Sequence, residues 1–144
     1  MTEALRDHFA DYAAFHRTSG NKVCHSLGIP IIVLSSLALL ARVPLFAVGG
    51  FTVTLAEILI LLFVAYYLTL DVTLAAFMLA AYAILAALGR FIPPGPALGL
   101  FAFGWVLQGV GHYIYEKNSP AFFRNFAHLA IGQLWILAKA VRRA

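Results

Sequence analysis

The stretch TVTLAEILILLFVAYYLTLDVTLAAFMLAAYAILAALG, residues 52–89, decides the fold. Its only charged side chains are Glu57 and Asp71. A hydrocarbon core about 30 Å thick takes roughly 20 apolar residues per helical crossing, so the stretch holds two crossings. Asp71 divides them. As an N-cap it ends a span over residues 52 to 69 and starts another over 72 to 89, the two joined as a tight helical hairpin. Glu57 and Asp71 both lie near span ends and are expected as cap or interface groups, not proton relays.

Outward from this hairpin the punctuation is clear on both sides. Before it, Arg42, Pro44 and the Gly49-Gly50 pair read as a turn. That turn follows a span capped by Asn21, carrying SLGIPIIVLSSLALLA to about residue 41, with a kink expected at Pro30. After the hairpin, RFIPPGP is a break, because Pro93, Pro94 and Pro96 cannot continue a helix, and a fourth span is predicted over about residues 97 to 116. The last apolar segment, residues 127 to 140, is too short to cross comfortably and is predicted to be interfacial or re-entrant. Residues 2 to 17 form an amphipathic helix, since Leu5, Phe9, Tyr12, Ala13 and His16 recur at spacings of three and four opposite Glu3, Arg6 and Asp7. The expected fold class is therefore all-α: a polytopic integral membrane helix bundle of about four spanning helices, forming a single domain over 1–144.

Composition agrees, because 62% apolar residues, 11% charged residues and a mean hydropathy of +0.89 exclude an ordinary soluble domain. The lone Cys24 cannot make an intrachain disulfide and is expected to pack. A pI near 9.5 could suggest a nucleic-acid partner, but the basic residues are mostly scattered singly, which fits lipid headgroups and argues for no nucleic acid. The N-terminal segment has no apolar core of a cleavable signal, so the first span is expected to direct insertion. With four spans, eight of the ten Lys and Arg (Arg6, Arg17, Lys22, Lys117, Arg124, Lys139, Arg142 and Arg143) fall on the side of the termini, against Arg42 and Arg90 on the other. The positive-inside rule puts that side in the cytoplasm.

Four of the five histidines then become informative. His16 and His25 precede the apolar middle, His112 and His128 follow it, and the topology brings all of them to one membrane face. Gln108, His112 and Glu116 repeat at spacings of four and form one stripe on the fourth span, while Tyr12 and His16 make a one-turn pair. Such a stripe belongs in a bundle interior, because lipid would leave its polar groups unsatisfied. Gly104, Gly109 and Gly111 on the same helix would admit a neighbouring backbone. Neutral imidazoles converging from several helices suit a first-row transition metal such as iron, zinc or copper, with Glu116 as a ligand or an orienting partner. Taken singly, each of these histidines is as well explained as an amphipathic interfacial group, and His8 has no wider pattern and reads as a solvated helix residue. Tyr66, Tyr67, Tyr113, Tyr115, Trp105 and Trp135 are expected as packing or belt aromatics. The order around His112 is not HExxH, which argues against a zincin-type protease. The residues themselves leave open a metal-dependent lipid hydrolase or hydroxylase, a bis-histidine haem protein, and a non-enzymatic scaffold or small transporter.

Tyr12, His16, Asn21, His25, Gly28 and Pro30 in the first half form one motif, and Trp105, Gln108, Gly111, His112, Glu116, Lys117, Pro120 and Ala121 form a second. Together they resemble the family of 2-hydroxy fatty acid dioxygenase-like membrane proteins, first catalogued as a domain of unknown function, over nearly the whole chain. His128 matches a further histidine found after the Pro-Ala pair. The resemblance implies an Fe(II)-dependent α-oxidation, in which a long-chain 2-hydroxy fatty acid and O2 give CO2 and an acid one carbon shorter. It carries over His16, His25, His112 and His128 as a metal site for Fe2+, with Zn2+ as the other candidate. Tyr12, Gln108 and Glu116 are the accompanying catalytic candidates, and Arg17, Lys22, Lys117 or Arg124 would meet the substrate carboxylate at the membrane face. Four imidazoles would leave too little of an octahedral iron for a chelated substrate and O2 together, so either one histidine stands behind the ligands or leaves on substrate binding, with His128 the expected weakest ligand, or the substrate binds through a single oxygen. The expected setting is a bacterial inner membrane, or the endoplasmic reticulum in a eukaryote.

Overall fold

The computed structural model describes residues 1–120 and 125–142, so Ala121, Arg124 and Arg143 lie outside the described residues. The chain is mostly helical. Helix α1 (Glu3–Ala14) is capped by Thr2, whose side chain accepts from Leu5 N, and buries Leu5, Phe9 and Tyr12 at helical spacing. It ends earlier than its amphipathic pattern suggests, so His16 sits in the connection to α2. Helix α2 (Ser19–Leu40) runs unbroken through Pro30. Its cap is Thr18, which accepts from Asn21 N, and not Asn21, whose side chain donates elsewhere.

The predicted turn at residues 42–50 is a β-hairpin, and this departs from an all-α chain. Strands β1 (Pro44–Val48) and β2 (Phe51–Thr54) pair antiparallel around Gly49 and Gly50. Both glycines have positive φ, +55° and +82°, the two-residue turn whose twist suits a hairpin. Because residues 51–54 are strand, α3 (Leu55–Leu70) starts later than the predicted span. Thr54 and Glu57 close a capping box at its start, and Arg90 joins Glu57 at 3.1 Å. Asp71 then ends α3 and caps α4 (Val72–Gly89) by accepting from Leu74 N, as the sequence indicates.

Helix α5 (Pro94–Gly109) begins inside the proline cluster. Pro94 and Pro96 occupy its first turn, where a helix needs no amide donor, so they start the helix instead of preceding it. A π-helical turn (Val110–Glu116) continues α5, and α6 (Ala127–Ala140) closes the fold. Among the described residues three helical stretches, Ser19–Leu40, Val72–Gly89 and Pro94–Glu116, are long and apolar enough to cross a membrane, and α3 is a shorter apolar helix. Their exposed faces carry Leu62, Phe77, Ile84, Phe103 and Val106, as a lipid-facing surface would.

Helices α2 and α5 pack antiparallel through glycines. A Cβ on Gly104 would meet Ile32 Cγ1 at 2.6 Å and Gly28 O at 3.1 Å, and one on Gly111 would meet Cys24 Cβ at 3.1 Å and His25 Nδ1 at 3.2 Å. Gly28 faces Gln108 just as closely, whereas Gly109 faces open space and has no such role. Leu5, Phe9 and Tyr12 dock α1 onto α6 in a core shared with Tyr67, Leu74, Ile131, Leu134 and Trp135. Full burial of side chains of this size contributes about 1.5–3 kcal/mol each. The Met1 ammonium contacts Asp71 at 3.0 Å and Thr2 Oγ1 donates to Leu70 O, which places the N-terminus and the α3–α4 connection at one end of the bundle.

Candidate metal centre

Three elements deliver one imidazole each to the same buried point. The α1–α2 connection brings His16, the second turn of α2 brings His25, and the π-turn brings His112. The three are 2%, 3% and 2% exposed, and their ligating nitrogens lie within 4.8 Å of one another. Ring centroids stand 4.4, 5.0 and 4.7 Å apart, with rings edge to face and not stacked.

Two of the rings are oriented by the backbone. His16 Nδ1 lies 2.6 Å from Tyr12 O and His25 Nδ1 lies 3.0 Å from Asn21 O. Carbonyl oxygens only accept, so both rings donate Nδ1–H and keep the Nε2 lone pair free for a ligand, the arrangement metal-bound histidines usually have. His16 Nε2 and His112 Nδ1 are buried with no hydrogen-bond partner. Burial draws the His16 imidazole down to about 4, so it stands neutral at cellular pH. Desolvated imidazoles from three elements, two of them with an unpartnered nitrogen, fit a first-row metal ion.

Glu116 has a different place from the one its spacing suggested. Its carboxylate accepts from Arg17 N (2.9 Å), Thr18 N (3.1 Å), Thr18 Oγ1 (2.9 Å) and Asn21 Nδ2 (3.1 Å). It therefore clamps the turn that carries His16 and caps α2 from outside. The π-turn breaks the regular repeat that put Gln108, His112 and Glu116 on one stripe, which leaves only Gln108 and His112 facing inward.

His128 comes to the same cavity but not to the three-nitrogen set. Its Nε2 lies 2.7 Å from Asp11 Oδ2, while its Nδ1 is buried without a partner. Asp11 belongs to no motif and is exposed on α1, and only the docking of α1 on α6 gives it a partner. Tyr12 stacks on His16 with centroids 3.9 Å apart, and its hydroxyl and Gln108 Nε2 are also buried without partners. Burial raises the Tyr12 phenol well above its ordinary value, so it remains a donor.

These groups head a cavity of about 290 Å³ whose other walls are largely aliphatic and aromatic. Among the described residues no Lys or Arg lines it: Arg17 donates to Ala14 O at the surface, and Arg124 lies outside the described residues. His8 is partly exposed on α1, away from this cavity.

Residues 2–144 match the family described as 2-hydroxy-palmitic acid dioxygenase Mpo1-like. The chain belongs to the Mpo1-like family. The 2-hydroxy-palmitic acid dioxygenase MPO1 of Saccharomyces cerevisiae is 32% identical over 125 residues, which cover 84% of this chain and 70% of that protein. No solved structure matches the chain. The Mpo1-like match lies in the sequence, and the buried three-histidine cluster that could hold a metal lies in the geometry.

Proposed function

We propose that this chain is an iron-dependent dioxygenase of 2-hydroxy fatty acids. The observation that carries the reading is a buried His16/His25/His112 cluster at the head of an apolar cavity, in a member of the Mpo1-like family. In the reaction, the C1–C2 bond of the 2-hydroxy acid breaks, C1 leaves as CO2, and C2 becomes the carboxyl carbon of the shortened acid. With O2 as oxidant the atoms and electrons balance with one water as the remaining product, so no outside reductant is consumed. A divalent iron at the three nitrogens would supply the O2 chemistry that side chains lack.

The chain's own residues do the rest. Three protein donors instead of four leave more of the ion's positions to other ligands, which relieves the crowding that four histidines would impose. The Tyr12 hydroxyl and the Gln108 amide donate to the substrate's carboxylate and 2-hydroxyl oxygens, and this satisfies two orphaned buried groups. His128, its Nε2 held by Asp11, offers Nδ1 to take the hydroxyl proton. The apolar walls exclude water and hold the acyl chain, so that the bond to be cut is presented in one orientation. The protein crosses the membrane four times, α3 being its shortest crossing, with both termini and the histidine end in the cytoplasm. It is a single domain.

Metal analysis of anaerobically purified protein, followed by O2 uptake with 2-hydroxypalmitate and mass analysis of the product, tests the reading. Iron, O2 uptake and pentadecanoate are expected. Zinc with hydrolysis and no O2 uptake would replace it with a lipid hydrolase, and metal-free protein would return the chain to the scaffold or transporter class.

A further inference from the structure

The lining of the cavity runs far along two helices, and that depth says more about the substrate than the polar head does. On α2 its lining runs from His25 through Ile29, Ile32 and Val33 to Leu37, and on α5 from Gln108 through Trp105 to Phe101. Helical rise puts Leu37 about 18 Å from the level of His25, a little over half of a ~30 Å hydrocarbon core and so about one leaflet deep. A lining this deep and this apolar suits an unbranched acyl chain lying along the helices. Beyond Gln108 the walls are aliphatic and aromatic apart from the hydroxyls of Ser36 and Tyr82 and the amide of Gln133, and Tyr82 donates to Gln133 at 2.6 Å.

Three helices line the far end. Leu37, Leu59 and Phe101 are the lining residues of α2, α3 and α5 that lie farthest along each helix from the histidines. Helix α5 packs chiefly against α2, and α3 adds Leu59, Ile60 and Phe63 to the lining. Phe63 and Trp105 along it are partly exposed, which gives a chain a route in from the bilayer side.

We propose that the cavity is an acyl slot, and that Leu37, Leu59 and Phe101 set the longest chain it accepts. The inference rests on the dioxygenase reading for its head group but not for its depth. Enlarging the far end with Leu37→Ala or Leu59→Ala is expected to move the optimum toward longer chains. Filling it with Leu37→Trp is expected to lower kcat/KM about tenfold or more on 2-hydroxystearate while leaving 2-hydroxylaurate within about twofold, in line with the discrimination an apolar pocket gives per methylene. The experiment measures turnover and, on the same detergent-solubilised proteins, displacement of a fluorescent fatty acid by unlabelled acids from laurate to stearate. Opposite shifts of the chain-length profile in the Ala and Trp variants support the slot. Shifted binding profiles without turnover in any protein would keep the slot and remove the reaction. Profiles that run parallel to wild type in both Ala variants would overturn the slot even if the enzyme is active. The Ala variants guard against a Trp that misfolds.

Discussion

At the hairpin end of the bundle, Thr54 and Glu57 satisfy one another, Arg90 pairs with Glu57, and Arg42 donates to Ile92 O at 2.7 Å. At the histidine end, by contrast, Tyr12, His16, Asn21, Gln108, His112 and His128 each keep a buried nitrogen or oxygen without a partner. The backbone differs in the same sense. The hairpin turns through two glycines at positive φ, whereas the π-turn closes through Lys117 at φ 54°, a conformation a side chain resists. An unmet buried polar group costs about 1–3 kcal/mol, so a bundle carries several of them only where something else meets them. One end is finished by its own side chains, and the other leaves buried polar groups open to a ligand.

The largest way to break this contrast is to remove a nitrogen from the cluster. His16→Ala, His25→Ala or His112→Ala should each abolish stoichiometric metal and lower O2 uptake by more than the roughly 10–100-fold that the loss of an outer partner costs. Glu57→Gln, at the other end, should leave both unchanged. Metal-to-protein ratios from elemental analysis, read beside initial rates, decide it. Equal metal loss from both ends would mean that the variants merely unfold.

The next largest effect separates the clamp from the ligands. Glu116→Ala removes four hydrogen bonds to residues 17–21 and should weaken metal affinity about tenfold or more, because His16 rides on that turn. It should also lower the thermal midpoint, since charge-assisted bonds of this kind contribute about 1.5–3 kcal/mol each before solvent screening reduces them. Thr54→Ala, which deletes a cap at the opposite end, should cost about 1 kcal/mol of stability with no change in metal affinity. A competitive chelator titration run with a thermal melt on both variants reads the two quantities apart.

A smaller and more specific effect is expected at Asp11. Asp11→Asn leaves the three-nitrogen set intact and removes only the carboxylate behind His128, so kcat should fall about tenfold with metal content retained. Loss of metal instead would make His128 a fourth ligand oriented by Asp11. The same His128 shows how far the sequence carried. The two motifs put four histidines at one face, and Asp71, the antiparallel spans and α6 were legible because each has a local cause: a cap, an apolar run or a periodicity. Asp11, Gly28 and the role of Glu116 had no local cause. Each takes its part only from packing between elements distant in the chain, and the π-turn moved Glu116 off the stripe that an α-helical repeat assumes. The hairpin was different, because Gly49-Gly50 between Phe46, Val48, Phe51 and Val53 carries its own signal, hidden by an otherwise helical composition.

The smallest expected effect compares the two left-handed turns directly. A non-glycine residue in this region gives up roughly 1–2 kcal/mol, and glycine would relieve that at Lys117 while adding about 0.5–1 kcal/mol of chain entropy to the unfolded state. Lys117→Gly should therefore raise stability by only a few tenths of a kcal/mol. Gly50→Ala at φ +82° should do the opposite and cost about 1 kcal/mol, because the hairpin already uses the residue its turn requires. Paired chemical melts measure both. If Lys117→Gly is stabilising but lowers metal affinity, the strained closure of the π-turn is what holds His112 toward its partners, since Lys117 N and Asn118 N both donate to His112 O. Were metal affinity unchanged, the π-turn would be held by the packing of Gly111 against α2, and the left-handed residue would only end the helix.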